Sequence, residues 1–164
     1  LEHPDCDCRG ENGPFPIWSM NTVLVRYAEV LLWKAEALIQ LDRYEEALPI
    51  INSLRTRAAN STGMLNDASI YNINTYSSFA SKEEAFNALR WERRLELGLE
   101  GHRFFDLVRW GVTKETLDAY FEIELIRKPY LEAAAFTKGK HEYLPIPNQQ
   151  INLSGGIYVQ NPGY

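Results

Sequence analysis

The sequence predicts a mainly α protein: a tetratricopeptide-like helical hairpin, further helices after it, and an irregular C-terminal segment. Three features of the string carry that prediction. Apolar residues recur at helical spacing through two consecutive stretches, 24–39 and 44–58. A Ser-Lys-Glu-Glu capping sequence at 81–84 opens another helical pattern. Glycine and proline punctuate both ends, at Pro4, Gly10, Gly13, Pro14 and Pro16 and again beyond Lys138.

Residues 1–22 therefore read as an irregular lead-in. Leu24, Ala28, Leu31, Leu32, Ala35, Leu38 and Ile39 then lay one apolar stripe on a helix of about four to five turns. Asp42 is placed to cap the next helix, with Glu45 completing a capping box. That second helix turns Tyr44, Ala47, Leu48, Ile51, Leu54 and Ala58 inward. Pro49 lies beyond its first turn, where it removes a hydrogen bond and should bend the helix. Residues 23–59 thus form an antiparallel hairpin. With Ala47 at the second-helix alanine of a tetratricopeptide unit, Ala35 falls at the small position of the first helix. One such unit is legible, whereas a self-sufficient array needs about three.

Residues 60–80 form a loop rich in Asn, Ser, Thr and Tyr and nearly free of charge. It is longer than most connections, which marks it as functional or mobile. A third helix runs from Ser81 to Leu99, with Gly101 set to stop it in the left-handed conformation. A short aromatic helix, Arg103 to Trp110, ends at Gly111, and a further helical pattern from Lys114 to Arg127 meets Pro129. Residues 81–127 are therefore helical. The tail, 138–164, carries Pro145, Pro147, Gly155, Gly156, Pro162 and Gly163 and reads as extended segments and turns. At 164 residues the chain suits one domain that buries about two-thirds of its unfolded surface.

Composition narrows the function. A formal net charge of −5, with acids interleaved among the bases, excludes a nucleic-acid partner, which needs clustered Lys and Arg. No run of about 18 apolar residues is present to span a bilayer as a helix. Cys6 and Cys8 form a C-x-C near the start. A zinc site needs about four ligands from paired motifs, and only His3 or Asp7 stands near. No cofactor or metal is expected.

The charged stretch Glu92 to Gly111 poses the chemical question. On a helical wheel Glu96 falls about 40° and Glu100 about 80° from Glu92, in the same sector as Ala85, Phe86 and Leu89. Ala88, Trp91, Leu95 and Leu99 adjoin that sector. The glutamates are thus predicted to face inward, where each costs several kcal/mol unless paired. Arg93, His102, Arg103 and Asp106 lie close in sequence, and Arg26, Arg55 or Arg57 of the hairpin can reach in. The expectation is a structural ion network of Glu92, Arg93, Glu96, Glu100, His102, Arg103 and Asp106. A glycosidase-like pair would need two carboxylates facing each other across a cleft of about 5–10 Å, a task ill suited to consecutive turns of one helix. No catalytic residue is assigned.

Five pieces occur in order: "RYAEVLLWKAEALIQL" (26–41), "ALPIINSLRTRA" (47–58), "ERRLELGLEGHRFFDLVRWG" (92–111), "YLPIPNQQI" (143–151) and "QNPGY" (160–164). Together they resemble the C-terminal part of the SusD/RagB family of nutrient-uptake proteins, over nearly all of residues 24–164. The resemblance implies a fragment of an α-α superhelix built from tetratricopeptide-like units. It implies a non-catalytic, lipid-anchored protein at the surface of a Gram-negative outer membrane. Such a protein caps a SusC-like, TonB-dependent transporter and passes it captured glycan or peptide. Family members are usually several times longer and begin with a lipoprotein signal and an acylated cysteine. Neither Cys6 nor Cys8 matches that residue, so the lipid anchor and the remaining units are expected in an N-terminal portion outside this sequence.

Ligand contacts in the family lie in variable loops, so none transfers to a numbered position here. From the residues themselves, the uncharged loop offers Tyr71, Tyr76 and Phe79 as stacking surfaces and Asn72 and Asn74 as partners for hydroxyls. The alternative function is a helical scaffold that binds a protein and no small ligand. A glycan-degrading enzyme ranks third.

Overall fold

A computed structural model of the chain describes residues 23–61 and 71–164. The lead-in with His3, Cys6 and Cys8, and residues 62–70 of the loop, lie outside the described residues. The helices are α1 (Tyr27–Gln40), α2 (Tyr44–Ala59), α3 (Lys82–Glu96), α4 (His102–Arg109), α5 (Thr113–Glu124) and α6 (Asn148–Leu153). Among the described residues there is no strand. The chain divides into two compact units, Leu1–Glu96 and Leu97–Tyr164.

In the first unit α1 and α2 pack as a hairpin and α3 lies against both. Ala28, Leu32, Ala35 and Ile39 of α1 meet Ala47, Ile51 and Leu54 of α2, with Ala85 and Leu89 of α3, as a buried core. Ala35, Ala47 and Ala85 are fully buried, so small side chains let the three helices approach closely. Leu24 precedes α1 and is 85% exposed, so the inner stripe begins at Ala28. The same inner arc of α1 also buries Glu29 and Glu36, both engaged by neighbours.

Asp42 does not cap α2. Its backbone is left-handed, at φ 60°, and the residue preceding α2 is Arg43. The Asp42 N–H donates to the Ile39 carbonyl at 3.0 Å and the Arg43 N–H to the Leu38 carbonyl at 2.8 Å. That pair of bonds is a Schellman closure of α1, with Asp42 in the place glycine usually takes. Aspartate tolerates this conformation better than most residues. Its carboxylate then pairs with Lys82 at 3.2 Å.

The α3 start follows the capping sequence. Ser81 Oγ accepts from the Glu84 N–H at 3.2 Å, and the Glu84 carboxylate accepts from the Ala80 N–H at 2.6 Å, one residue earlier than a standard box. The helix ends at Glu96, not at Leu99. Leu99 itself is left-handed (φ 66°), and Gly101 (φ 82°) serves as the residue preceding α4. Trp91 and Leu95, placed by the wheel beside the inner sector, are exposed.

In the second unit α4 and α5 pack together. Gly111 (φ 70°) closes α4 with its own Schellman pair, Gly111 to Val108 and Val112 to Leu107, both at 3.0 Å. Lys114 and Asp118 of α5 hold the backbone of Phe136: Lys114 Nζ donates to its carbonyl and Asp118 Oδ1 accepts from its N–H, each at 3.3 Å. The tail is not wholly extended, because α6 interrupts it directly after Pro147. Its last residues bond back to its first. The Gln160 amide accepts from the Ile146 N–H at 2.7 Å and donates to the Ile146 carbonyl at 2.9 Å. Asn161 donates to the Leu144 carbonyl at 2.6 Å, and the Tyr164 hydroxyl donates to that of Tyr143 at 3.0 Å. The "YLPIPNQQI" and "QNPGY" pieces are thus two sides of one hydrogen-bonded closure.

Candidate functional site

The residues singled out for chemistry gather, within the first unit, where the irregular segment 71–79 crosses α2 and α3. Asn52 and Arg55 are one helical turn apart on α2 and lie beside its inner stripe. The Asn52 amide donates to the Tyr76 carbonyl and accepts from the Tyr76 N–H, both at 2.9 Å. Arg55 Nε donates to the Asn74 carbonyl, Nη1 donates to Glu92, and the guanidinium lies 4.7 Å from the centre of the Tyr76 ring. The Tyr76 ring sits 5.4 Å from that of Phe79. Burial pushes the Tyr76 phenol above its ordinary pKa, with the Glu92 carboxylate, 3.5 Å from its oxygen, adding to the rise and Arg55 opposing it.

The five loop candidates therefore separate. Phe79 is buried, 6% exposed, and has no ring face to offer a solute. Tyr76 has its backbone bound to Asn52 and its ring to Arg55. Tyr71, Asn72 and Asn74 are exposed. They form the outer lip of the segment.

The glutamates divide in the same way. Glu92 is buried and takes Arg55; Glu96 accepts from Arg26 at 2.5 Å and from Arg57, while Arg26 also donates to the Glu96 carbonyl. The hairpin supplies these guanidinium donors from positions distant in sequence. Arg93 is buried beside them on α3. Glu100 departs from the expectation: beyond the helix end it no longer follows the wheel, and it is exposed. In the second unit its carboxylate is 4.0 Å from His102, and Asp106 is buried and pairs with Arg109 at 2.9 Å. Arg103, also in that unit, is engaged and half-buried. Two carboxylates on consecutive turns, each facing guanidinium groups, make an ion-paired anchor for helices and loop. Sequence reasoning offered Arg26, Arg55 and Arg57 as partners but missed Asn52. Its only local signal is its place one turn before Arg55.

The second unit carries a groove of about 270 Å³ between α5 and the segment after it, lined by Asp118, Phe121, Glu122, Leu125, Leu131 and Glu132 among others. Among the described residues no group of three or more His, Cys, Asp or Glu is placed to hold a metal. No described helix is long and apolar enough to cross a membrane.

Comparison with known proteins then decides the family. The model of the SusD family matches residues 17–164. The chain belongs to the SusD family. A SusD-like protein of Formosa agariphila is 38% identical over 97 residues, which cover 59% of this chain and 18% of that protein. A second from the same organism is 30% identical over 147 residues, 89% of this chain and 26% of that protein. The crystal structure of a SusD homolog from Bacteroides thetaiotaomicron superposes with a TM-score of 0.69 at 32% identity, over 86% of this chain and 26% of that one. This SusD-family chain thus spans 18% and 26% of the length of those two relatives, and it shares the helical fold of the solved homolog.

Proposed function

We propose that this SusD-family chain is part of the solute-binding component of an outer-membrane nutrient-uptake system. In this reading the protein stands lipid-anchored at the cell surface, captures oligosaccharide and passes it to a SusC-like, TonB-dependent barrel without catalysing a reaction. The observation that carries the proposal is the family match across residues 17–164, because SusD-like proteins are nutrient-binding accessory proteins of the outer membrane. The local chemistry supports it. The exposed lip of Tyr71, Asn72 and Asn74 offers one aromatic face and two amides without a charge, a surface suited to a neutral polyol.

The test is calorimetric titration of neutral oligosaccharides into the full-length natural protein. Replacing Tyr71, Asn72 and Asn74 together by Ala should weaken binding by roughly a hundredfold, since one stacking face and two amides each contribute on the order of 1 kcal/mol. Unchanged affinity would remove the lip from the ligand site.

One observation favours a second reading, a helical scaffold for a protein partner. The outer arc of α1 leaves Tyr27, Val30 and Trp33 exposed in a row, with Leu41 just past its end. Apolar rows of this kind mark interaction surfaces. A protein that binds no glycan, and is captured by a helical partner only when Trp33 is intact, would favour the scaffold.

A further inference from the structure

Residues 71–79 contain no helix or strand, yet their course is fixed at three points. Asn52 meets the Tyr76 backbone with one donor and one acceptor, both at 2.9 Å, much as the facing residue of a neighbouring strand would. Arg55 holds the Asn74 carbonyl and covers the Tyr76 ring at 4.7 Å. Phe79 is buried and closes the far end. The fixed points begin at Asn74, so Tyr71 and Asn72 project from an anchored base. Ordering a free segment on binding costs about 1–2 kcal/mol per residue, and a base anchored beforehand removes part of that cost.

We infer that Asn52 and Arg55 are positioning residues: they set the affinity of the Tyr71–Asn74 lip for its ligand without touching the ligand. The inference rests on the oligosaccharide-binding function proposed above. It also assigns different parts to different atoms. Asn52 needs both amide functions, so Asp keeps the acceptor for the Tyr76 N–H and turns a second oxygen toward the Tyr76 carbonyl. Gln is one methylene too long for the same two bonds. Arg55 needs Nε for Asn74 and Nη1 for Glu92 at once, which a lysine ammonium cannot reproduce.

The experiment uses the full-length natural protein and an oligosaccharide found to bind it, with amide hydrogen exchange read alongside affinity. The variants are Asn52→Ala, Asn52→Asp, Arg55→Lys and, as a direct lip variant, Tyr71→Ala. Asn52→Ala and Arg55→Lys should each weaken binding roughly fivefold and speed exchange at the Tyr76 amide. The α1 amides should be unchanged in both and the α3 amides unchanged in Asn52→Ala, since only Arg55→Lys also loses the bond to Glu92 of α3. Asn52→Asp should restore part of the Tyr76 protection and part of the affinity. A general loss of fold would instead speed exchange in the helices and show no graded recovery with Asp. Faster Tyr76 exchange with unchanged affinity in the Asn52 variants overturns the positioning role. If Tyr71→Ala still weakens binding in that case, the lip stands as the ligand site and only the positioning role is lost. Unchanged affinity in all four variants overturns both the lip and its positioning, while glycan binding by the parent leaves the family-level function intact.

Discussion

Glu92 and Glu96 are one turn apart on the same helix, yet their arginines differ in exposure, and that difference orders the expected costs. Glu92 and Arg55 are largely withdrawn from water, with side chains 7% and 18% exposed. Removing the carboxylate leaves a guanidinium facing a space it cannot leave, a loss on the order of 3 kcal/mol. Arg57, by contrast, is 57% exposed where it meets Glu96. A surface partner of that kind is worth under about 1 kcal/mol. Glu92→Ala should therefore lower stability in urea far more than Arg57→Ala, and equal losses would show that the cluster is hydrated throughout. Tyr76 adds a pH dependence. Its pKa is raised above the ordinary 10.0, mainly by burial. The folded state thus holds the phenolic proton more tightly, and its contribution is complete below pH 10 and fades as pH rises through the folded value. The stability difference between the parent and Tyr76→Phe should stay constant from pH 7 to 9 and shift against the parent above pH 10. A constant difference across the whole range would mean that the ring is equally solvated folded and unfolded.

Helix ends divide what the sequence disclosed from what it hid. The inner stripes of α1 and α2 were legible because Ala28, Leu32, Ile39, Ala47, Ile51 and Leu54 are apolar at the period that burial requires. The start of α3 was legible because Ser81 and Glu84 bond locally. Ser81→Ala should cost about 1 kcal/mol, measured by denaturation, and a cost near zero would mean that the Ala80 to Glu84 bond alone suffices. Asp42 was misread because a start signal for one helix and a stop position for the preceding one share the same few residues. Only φ separates them. α6 was missed because it is six residues long, flanked by proline and lacks a buried stripe. The wheel misplaced Glu100, Trp91 and Leu95 by extending α3 past Glu96 and by giving it too broad a buried face. The contact of Asn52 with Tyr76 spans 24 positions and has no periodic signature, so only the folded chain brings it into view. Asp118 shows how far a local pair can act. Lys114 chiefly, then the Phe136 N–H, holds its pKa below the ordinary 3.8. The depressed value gives stability that is present above pH 3.8 and lost as pH falls through the folded value. Amides near Phe136 should lose protection on acidification below pH 4, and they should be less protected in Asp118→Asn at pH 7.

The first compact unit holds an ion-paired anchor, and the second holds a closed hydrogen-bonded tail. The family match covers most of the chain, while the chain covers 26% of the solved homolog. The role proposed for this part of the protein is a binding lip on that charged anchor. The carboxylates serve the anchor. The measurement that bears on this most directly is a titration of neutral oligosaccharides into the full-length protein, with chromatography of the sugar afterwards. The expected result is saturable binding, weakened by the Tyr71, Asn72 and Asn74 replacement, with every glycosidic bond intact. Cleaved sugar, released by the parent and not by Glu92→Gln or Glu96→Gln, would contradict it.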